Sequence, residues 1–439
     1  MALLKTLAAL ALALPIAANA APSPPDPACR VGAYALEGGG HLTVWSQGQG
    51  KLGYLLPDGE QGSLGPMGDG VYSNAPAAPT AMLTFAGCAP NVTLSARGKP
   101  NRTAKRIGFQ EQVLAFRAGD MMLSGKLVTP VGRSVRKVAI YVDGSDENPA
   151  VDSTYWQYEL PLRGIGVFVL DKRGTGASTG ATTSNFHLRA ADVAAAVQEV
   201  RAKMGSKVDI GLIGLSQGGW VAPLSASKRP VDFVVVGYGM AEGVTDEDRQ
   251  EIIQNLQAAG FGPADIKEAV ELQTAAAAVA KSHWTSGYER FDELKAKYAN
   301  ARWINALGKD GFTALMVTTP SSLFRDLGPK MDQGISFEYE PRPVIAALRT
   351  RQLWVLGGSD TNAPSATTVE ILTTLQQSNS GLAVAVFPKA DHGIVETTLV
   401  DGVSHVRLSA GYLDLVAGWI KNGRIPPTPS ARVQPAGGN

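Results

Sequence analysis

The sequence predicts an α/β protein: a mostly parallel β-sheet with helices on both faces, interrupted by an inserted helical cap and preceded by a small all-β domain. Three observations carry this. From about residue 107 onward, short near-continuous apolar runs alternate with helix-like stretches, the pattern of parallel strands buried on both faces. Between residues 240 and 345 that pattern is replaced by a purely helical one, and it then resumes. Residues 21–106 are instead rich in Gly, Pro and Thr and hold short alternating runs separated by turn signals.

Taken in order, Met1 to Ala20 has one basic residue (Lys5), an apolar run from Leu7 to Ala13, and Ala18-Asn19-Ala20. This reads as a cleaved secretory signal with an A-x-A site, since the apolar run is too short to span a bilayer. The protein is therefore expected to be exported, to the periplasm or beyond, with no membrane span. In the all-β domain, the runs Gly32–Leu36, Leu42–Trp45, Lys51–Leu56, Ala81–Phe85 and Asn91–Leu94 suggest roughly six strands, with Pro57-Asp58-Gly59 marking one turn. The only cysteines, Cys29 and Cys88, both fall here. In an oxidising compartment one disulfide closing this domain is expected, two separate buried thiols being the alternative.

The α/β part opens with a hairpin, Phe109–Phe116 and Met121–Val128, around Arg117-Ala118-Gly119-Asp120. Strands follow at Val138–Val142, Ile165–Leu170, Val208–Ile213 and Phe233–Val236, with a helix over Leu188–Met204. In the cap, Thr245 is the expected N-cap of a first helix ended by Gly260 and Gly262, and Pro263 opens a second. A third runs from Tyr288 to Leu307. At helical spacing, Trp284, Tyr288, Phe291, Tyr298, Trp303 and Phe312 read as cap core ahead of pocket lining. Strands resume at Gln352–Leu356 and Leu382–Phe387, a closing helix spans Leu408–Ile420, and the Pro/Gly/Ala-rich residues 426–439 read as a disordered tail. The units are thus 1–20, 21–106, 107–239, 240–345, 346–425 and 426–439.

Chemistry concentrates at Gly214-Leu215-Ser216-Gln217-Gly218-Gly219, between an apolar strand and a helix start. A serine there sits on a strained turn with its hydroxyl pushed out at the strand's C-terminal end. A second G-x-S-x-G, Gly176 to Gly180, lacks the strand–turn–helix context, so context selects Ser216. A nucleophilic serine needs a base and an acid to orient that base, carried on loops after neighbouring strands. Two such loops end in Ser359-Asp360 and Asp391-His392, making Asp360 the acid and His392 the base, in the order expected for this architecture. His41, His187, His283 and His405 occupy less suitable positions, Asp391 reads as a turn residue, and Glu242 is the reserve acid. The backbone N–H groups of Gln217 and Ser145 are the expected oxyanion donors. Gly174, Gly176 and Gly180 miss the dinucleotide-binding spacing.

Together these residues resemble the α/β-hydrolase superfamily, nearest to bacterial secreted esterases and to the serine aminopeptidase and prolyl-oligopeptidase-like branch. The resemblance covers about residues 107–420 and rests on Asp143-Gly144-Ser145, Asp171 to Ser178, Gly214 to Gly218, Gly358-Ser359-Asp360 and Ala390 to Gly393. It implies an α/β-hydrolase fold and attack by Ser216 on an ester or amide carbonyl. His392 would shuttle the proton and Asp360 would orient the imidazole. One departure is Asp143-Gly144, where family members often have His-Gly; a carboxylate there either lies beside the oxyanion or points away.

The expected substrate is a small ester, with a short peptide as the alternative, and a non-catalytic binding protein on the same fold is the reading from another class. With 40 basic against 39 acidic residues and no basic cluster, nucleic acid is not an expected partner. No metal or organic cofactor is implied, and the sequence does not reach the oligomeric state.

Overall fold

Two sheets and one helical insertion make up the computed structural model, which describes residues 28–75, 79–309, 311–400 and 402–436. The expected signal segment, residues 1–20, lies outside the described residues. The first eight strands are β1 (Gly32–Leu36), β2 (His41–Ser46), β3 (Leu52–Leu55), β4 (Glu60–Gly68), β5 (Val71–Ser73), β6 (Ala81–Phe85), β7 (Asn91–Ala96) and β8 (Arg102–Arg106). They pair antiparallel in the order β4-β3-β2-β1-β8-β7-β6-β5, and a β4–β5 ladder closes the ring into a barrel. Closure removes the exposed sheet edges that a small open sheet would present. Tyr34, Leu42, Val44, Leu83 and Phe85 fill it.

Among the described residues eight strands replace the roughly six that the alternation suggests. The unread ones are β4, interrupted by Gly62, Gly65 and Pro66, the three-residue β5, and β8, whose Arg-Thr-Ala-Lys-Arg has almost no apolar period. A disulfide joins Cys29 to Cys88 across 59 positions. A crosslink of that span restricts the unfolded chain by about 4 kcal/mol in the loop-entropy account. The Cys29→Ser/Cys88→Ser variant is therefore expected to unfold several degrees lower, as thermal denaturation would show, with reductant lowering only the wild type.

The second sheet begins with the hairpin β9 (Phe109–Ala118) and β10 (Met121–Pro130), then β11 (Lys137–Val142). Helix α1 (Trp156–Leu162), β12 (Gly166–Leu170), helix α2 (Phe186–Met204), β13 (Asp209–Leu215), helix α3 (Gly218–Lys228) and β14 (Phe233–Gly237) follow. Among the described residues six α-helices intervene: α4 (Val244–Ala258), α5 (Pro263–Lys281), α6 (Tyr288–Lys297), α7 (Phe312–Thr318), α8 (Ser321–Met331) and α9 (Pro341–Ala347). The chain then runs through β15 (Arg351–Gly357), α10 (Ser365–Gln376), β16 (Leu382–Phe387), the hairpin β17 (Val395–Val400) and β18 (Val403–Leu408), α11 (Tyr412–Asn422) and β19 (Arg432–Gln434).

The strand order is β19-β16-β15-β14-β13-β11-β12-β10-β9, and β11 to β16 are parallel. The strands alternate their side chains between two cores, as a period of two requires. Ile213 and Leu215 join a core that is continuous with the barrel and with α1 and α11. Ile210 and Leu212 pack under α2 and α3 on the other face.

Three departures from the sequence reading have clear causes. Helix α4 starts at Val244 with Gly243 as its N-cap, so Thr245 lies inside the first turn, buried, and does not cap. Strands β17 and β18 form a hairpin that pairs with β4 through Val406 and Arg407, extending the barrel sheet from the far end of the chain. Its strand β17 is mostly exposed, so no apolar run announces it. The tail read as disordered instead places β19 antiparallel on β16, satisfying that strand's open edge with backbone hydrogen bonds that composition does not reveal.

Candidate active site

Ser216 follows β13 directly and has φ of 53°, the left-handed region that a β-carbon disfavours. The turn is held by close packing: a β-carbon on Gly218 would lie 2.3 Å from the Val142 carbonyl oxygen, so only glycine lets α3 sit this near β11. The loops after β15 and β16 meet in the same way, where a β-carbon on Gly357 would fall 2.6 Å from the Ala390 carbonyl oxygen. That contact lays the loop carrying Asp360 against the loop carrying His392.

The three side chains form one chain of hydrogen bonds. His392 Nε2 is 3.0 Å from Ser216 Oγ, and His392 Nδ1 is 2.9 Å from Asp360 Oδ2. Asp360 is 1% exposed, and its other oxygen accepts the backbone N–H groups of Asn362 and Ala363 at 2.9 and 2.8 Å. A hydroxyl joined to an imidazole that is itself held by a carboxylate can give up its proton while attacking a carbonyl. The other candidates lie elsewhere. Glu242 is buried against Thr368 at 3.1 Å, His41 bonds Glu159, and His283 bonds Asp332. His187 packs on Tyr339, and His405 lies in β18. Asp391 accepts the His392 and Thr361 backbone N–H groups.

A profile of the alpha/beta hydrolase family matches residues 145–404, more than half of the chain. The chain belongs to the alpha/beta hydrolase family. No curated protein sequence matches it. Among solved structures, an esterase of Pyrococcus furiosus is 16% identical at a TM-score of 0.38, over 65% of this chain and 85% of the other. An esterase from Exiguobacterium antarcticum is 15% identical at a TM-score of 0.40, over 70% and 99% of the two chains. An acylaminoacyl peptidase of Pyrococcus horikoshii is 13% identical at a TM-score of 0.40, over 79% of this chain and half of its own length. At such scores these likenesses add nothing to the family assignment.

The departure at Asp143 is resolved by its partners. In this hydrolase the Asp143 carboxylate sits between Lys172 Nζ at 3.1 Å and Arg189 at 3.2 Å. Burial pushes the Asp143 carboxyl pKa up and the Lys172 ammonium pKa down, and their mutual attraction opposes both shifts. The same two cations grip the backbone. Arg189 donates to the Asp143 carbonyl at 2.8 Å and to the Gln217 side chain, and Lys172 donates to the Gly144 carbonyl at 3.2 Å and to that of Asp146. In a trans peptide the C=O and N–H point in opposite directions, so holding the Gly144 carbonyl turns the Ser145 N–H away from Lys172. Sequence reasoning missed this brace. Lys172 lies within the Asp171–Ser178 motif, but Arg189 stands in α2 with no local signal.

The rest of that motif ties loops together: Asp171 accepts the Val151 N–H at 2.9 Å, and Arg173 makes a two-point contact with Asp192 at 2.6 and 2.7 Å. Arg189→Met leaves Asp143 buried with one cation fewer. It is expected to cost about 3 kcal/mol in stability and to slow turnover, as denaturant midpoints and kcat would show.

Two cavities meet at Ser216. The first, also lined by Trp220, Val244, Phe312, Ile335 and Phe337, is largely apolar and reaches into the helical insertion. Five of the six aromatic residues flagged in that insertion fill its own core; Phe312 both packs there and faces this cavity. Glu247, Asp248 and Glu251 complete its wall. Burial pushes the Asp248 carboxyl up to about 6, against hydrogen bonds from the Thr313 hydroxyl at 2.6 Å and amide at 3.2 Å.

An acid harder to ionise when folded loses stability as pH climbs from its unfolded pKa, about 4, to its folded value, about 6. Asp248→Asn lacks that loss. Its melting temperature is expected to rise relative to wild type between pH 4 and 6 and to run parallel above, a difference of about 1–3 kcal/mol.

The second cavity contains His392, Tyr141, Asp146 and Tyr238 with Ser216. Tyr238, which the sequence did not flag, stands edge-on to the imidazole with centroids 4.8 Å apart. Gln254 of α4 donates to the Asp360 carbonyl at 3.3 Å, tying the insertion to the acid's loop. Among the described residues no cluster of three or more His, Cys, Asp or Glu side chains is arranged to hold a metal ion, and no helix is long and apolar enough to cross a membrane.

Proposed function

We propose that this hydrolase is exported and cleaves a carboxylic ester through an acyl-enzyme on Ser216. Ser216 Oγ attacks the carbonyl carbon while His392 Nε2 takes its proton, and Asp360 holds the imidazole with its Nδ1–H toward the carboxylate. The backbone N–H groups of Gln217 and Ser145 receive the oxyanion, the first from the start of α3 and the second from the loop braced by Lys172 and Arg189. Collapse expels the alcohol, which takes the proton from His392. Water then repeats the sequence on the acyl-enzyme and releases the acid.

The observation that carries this reading is the unbroken Asp360–His392–Ser216 hydrogen-bond chain. Residues 240–345 act as a cap over the acyl group, a role supported by the apolar cavity they share with Ser216. Residues 1–20 act as a signal peptide, and the Cys29–Cys88 disulfide suits an oxidising compartment. Residues 21–106 form the N-terminal unit, and 107–239 with 346–425 form the two parts of the hydrolase core.

A serine peptidase acting on free N-termini is the second reading. Glu247, which lines both cavities beside Ser216, favours it: burial pushes its carboxyl up to about 8, and an ammonium group beside it would draw it back toward the carboxylate. Labelling with a fluorophosphonate and mapping the modified peptide tests the mechanism. One adduct on Ser216 is expected, and folded protein without an adduct defeats it. A panel of matched esters and aminoacyl amides separates the two substrate classes.

A further inference from the structure

The barrel has no assigned role, and its position relative to the two cavities supplies one. In acyl transfer the leaving oxygen takes its proton from the imidazole, so the alcohol part of an ester must lie on the His392 side of Ser216. The apolar cavity in the helical insertion contains Ser216 and Gln217, whereas His392 lines the other cavity. The acyl group therefore belongs in the insertion, and the alcohol group belongs beside His392.

From there the path continues. The His392 cavity shares Tyr141 and Asp146 with a further cleft of about 260 Å³, whose opposite wall is the barrel residues Trp45, Ser46 and Gln47. Asn148 and Ser153 line it from the hydrolase core.

This cleft is fixed in shape. The Ser46 N–H bonds the Asp152 carbonyl at 2.7 Å. Asp152 is in turn held by Lys126 at 2.7 Å and Gln157 at 2.6 Å. Trp45 packs edge-on against Tyr155, with centroids 5.5 Å apart. His41 of β2 is hydrogen-bonded to the buried Glu159 of α1 at 3.1 Å, a second tie between barrel and core.

The polar part of the lining is hydroxyl, amide and carboxylate, with both donors and acceptors; Trp45, Tyr141, Pro149 and Ala150 supply an apolar part, and no lysine or arginine lines the cleft among the described residues. Such a surface matches neutral alcohols carrying several hydroxyls and disfavours phosphate or carboxylate leaving groups.

We propose that the barrel forms the leaving-group subsite and selects acyl esters of hydroxyl-rich alcohols, sugars or polyols. This rests on the Ser216 mechanism proposed above. Gln47 and Asn148, both exposed and both lining the cleft, supply side-chain hydrogen bonds to the alcohol's hydroxyls.

The test uses the purified full-length mature protein with three substrates of one acyl group: ethyl butyrate, glycerol monobutyrate and a glucose monobutyrate. All three form the same butyryl-enzyme, so differences in kcat/KM report the acylation step and hence the alcohol. The glucose ester is expected to exceed ethyl butyrate about ten-fold, the discrimination one or two hydrogen bonds supply. In Gln47→Leu/Asn148→Leu that ratio should collapse toward one.

Equal kcat/KM for the three esters in the wild type overturns the proposal. So does a double variant that slows all three in proportion, or one that keeps the preference. Absence of both hydrolysis and a fluorophosphonate adduct defeats the Ser216 mechanism itself, an outcome distinct from unselective hydrolysis.

Discussion

Ser216→Ala is expected to lower kcat on a short-chain aryl ester by about 10⁴-fold or more, while the protein stays folded and no longer takes a fluorophosphonate. The size follows from what is lost. Without Oγ no acyl-enzyme forms, and water must attack the bound ester directly, helped only by the proposed Gln217 and Ser145 donors. The substitution removes one oxygen from a partly exposed turn whose φ of 53° alanine also tolerates poorly, so folding should change little. A variant keeping a tenth of wild-type kcat would show that the measured hydrolysis arises elsewhere, with the second G-x-S-x-G serine, Ser178, the first place to look. That is an unpromising place, because Ser178 is 7% exposed and donates to the Asp171 carbonyl at 2.7 Å.

Asp360→Asn is the second large effect, expected at about 10⁴-fold in kcat with little change in fold. Asp360 Oδ1 accepts the N–H groups of Asn362 and Ala363, and an asparagine keeps that arrangement only by pointing its oxygen at them. Its NH₂ then faces His392 Nδ1, which must become an acceptor. The ring hydrogen moves to Nε2, where it faces Ser216 Oγ as a donor, and the base can no longer take the serine proton. Glu242→Gln is the matched control. Its carboxylate accepts from Thr368 and does not touch the imidazole, so kcat should stay within a few-fold. If Glu242→Gln caused the larger loss, the acid would have been assigned to the wrong residue.

The parts of the fold and site that were legible share a physical property: each is encoded within a dozen consecutive residues. Strand–helix alternation from β11 onward is written in local apolar periodicity, because a parallel strand buried on both faces must be continuously apolar. The Ser216 turn is legible because strain and close packing demand glycines at fixed offsets. Asp360 and His392 are legible as the polar residues ending two apolar strands. Cys29 and Cys88, 59 positions apart, are the exception to that locality, legible because the chain has no other cysteines.

What escaped depends on partners far apart in the chain. The β17–β18 hairpin joins β4 through pairing of Val406 with Gln61, and neither segment carries an apolar run. Arg189 reaches Asp143 across 46 positions, and a single arginine on a helix looks like any solvated charge until its partner is placed. Tyr238 and Gln254 meet His392 and Asp360 only once β14, α4 and β15 are packed side by side.

The sequence by itself thus determined the family, the Ser216 turn and the order in which Asp360 and His392 follow it, since backbone propensity and strand periodicity act locally. Only the tertiary structure decided that Asp143 is held between two cations, and that the barrel walls a polar cleft leading away from His392. Both follow from side chains brought together by burying the two faces of the sheet, and the spacing of residues along a chain does not specify such contacts.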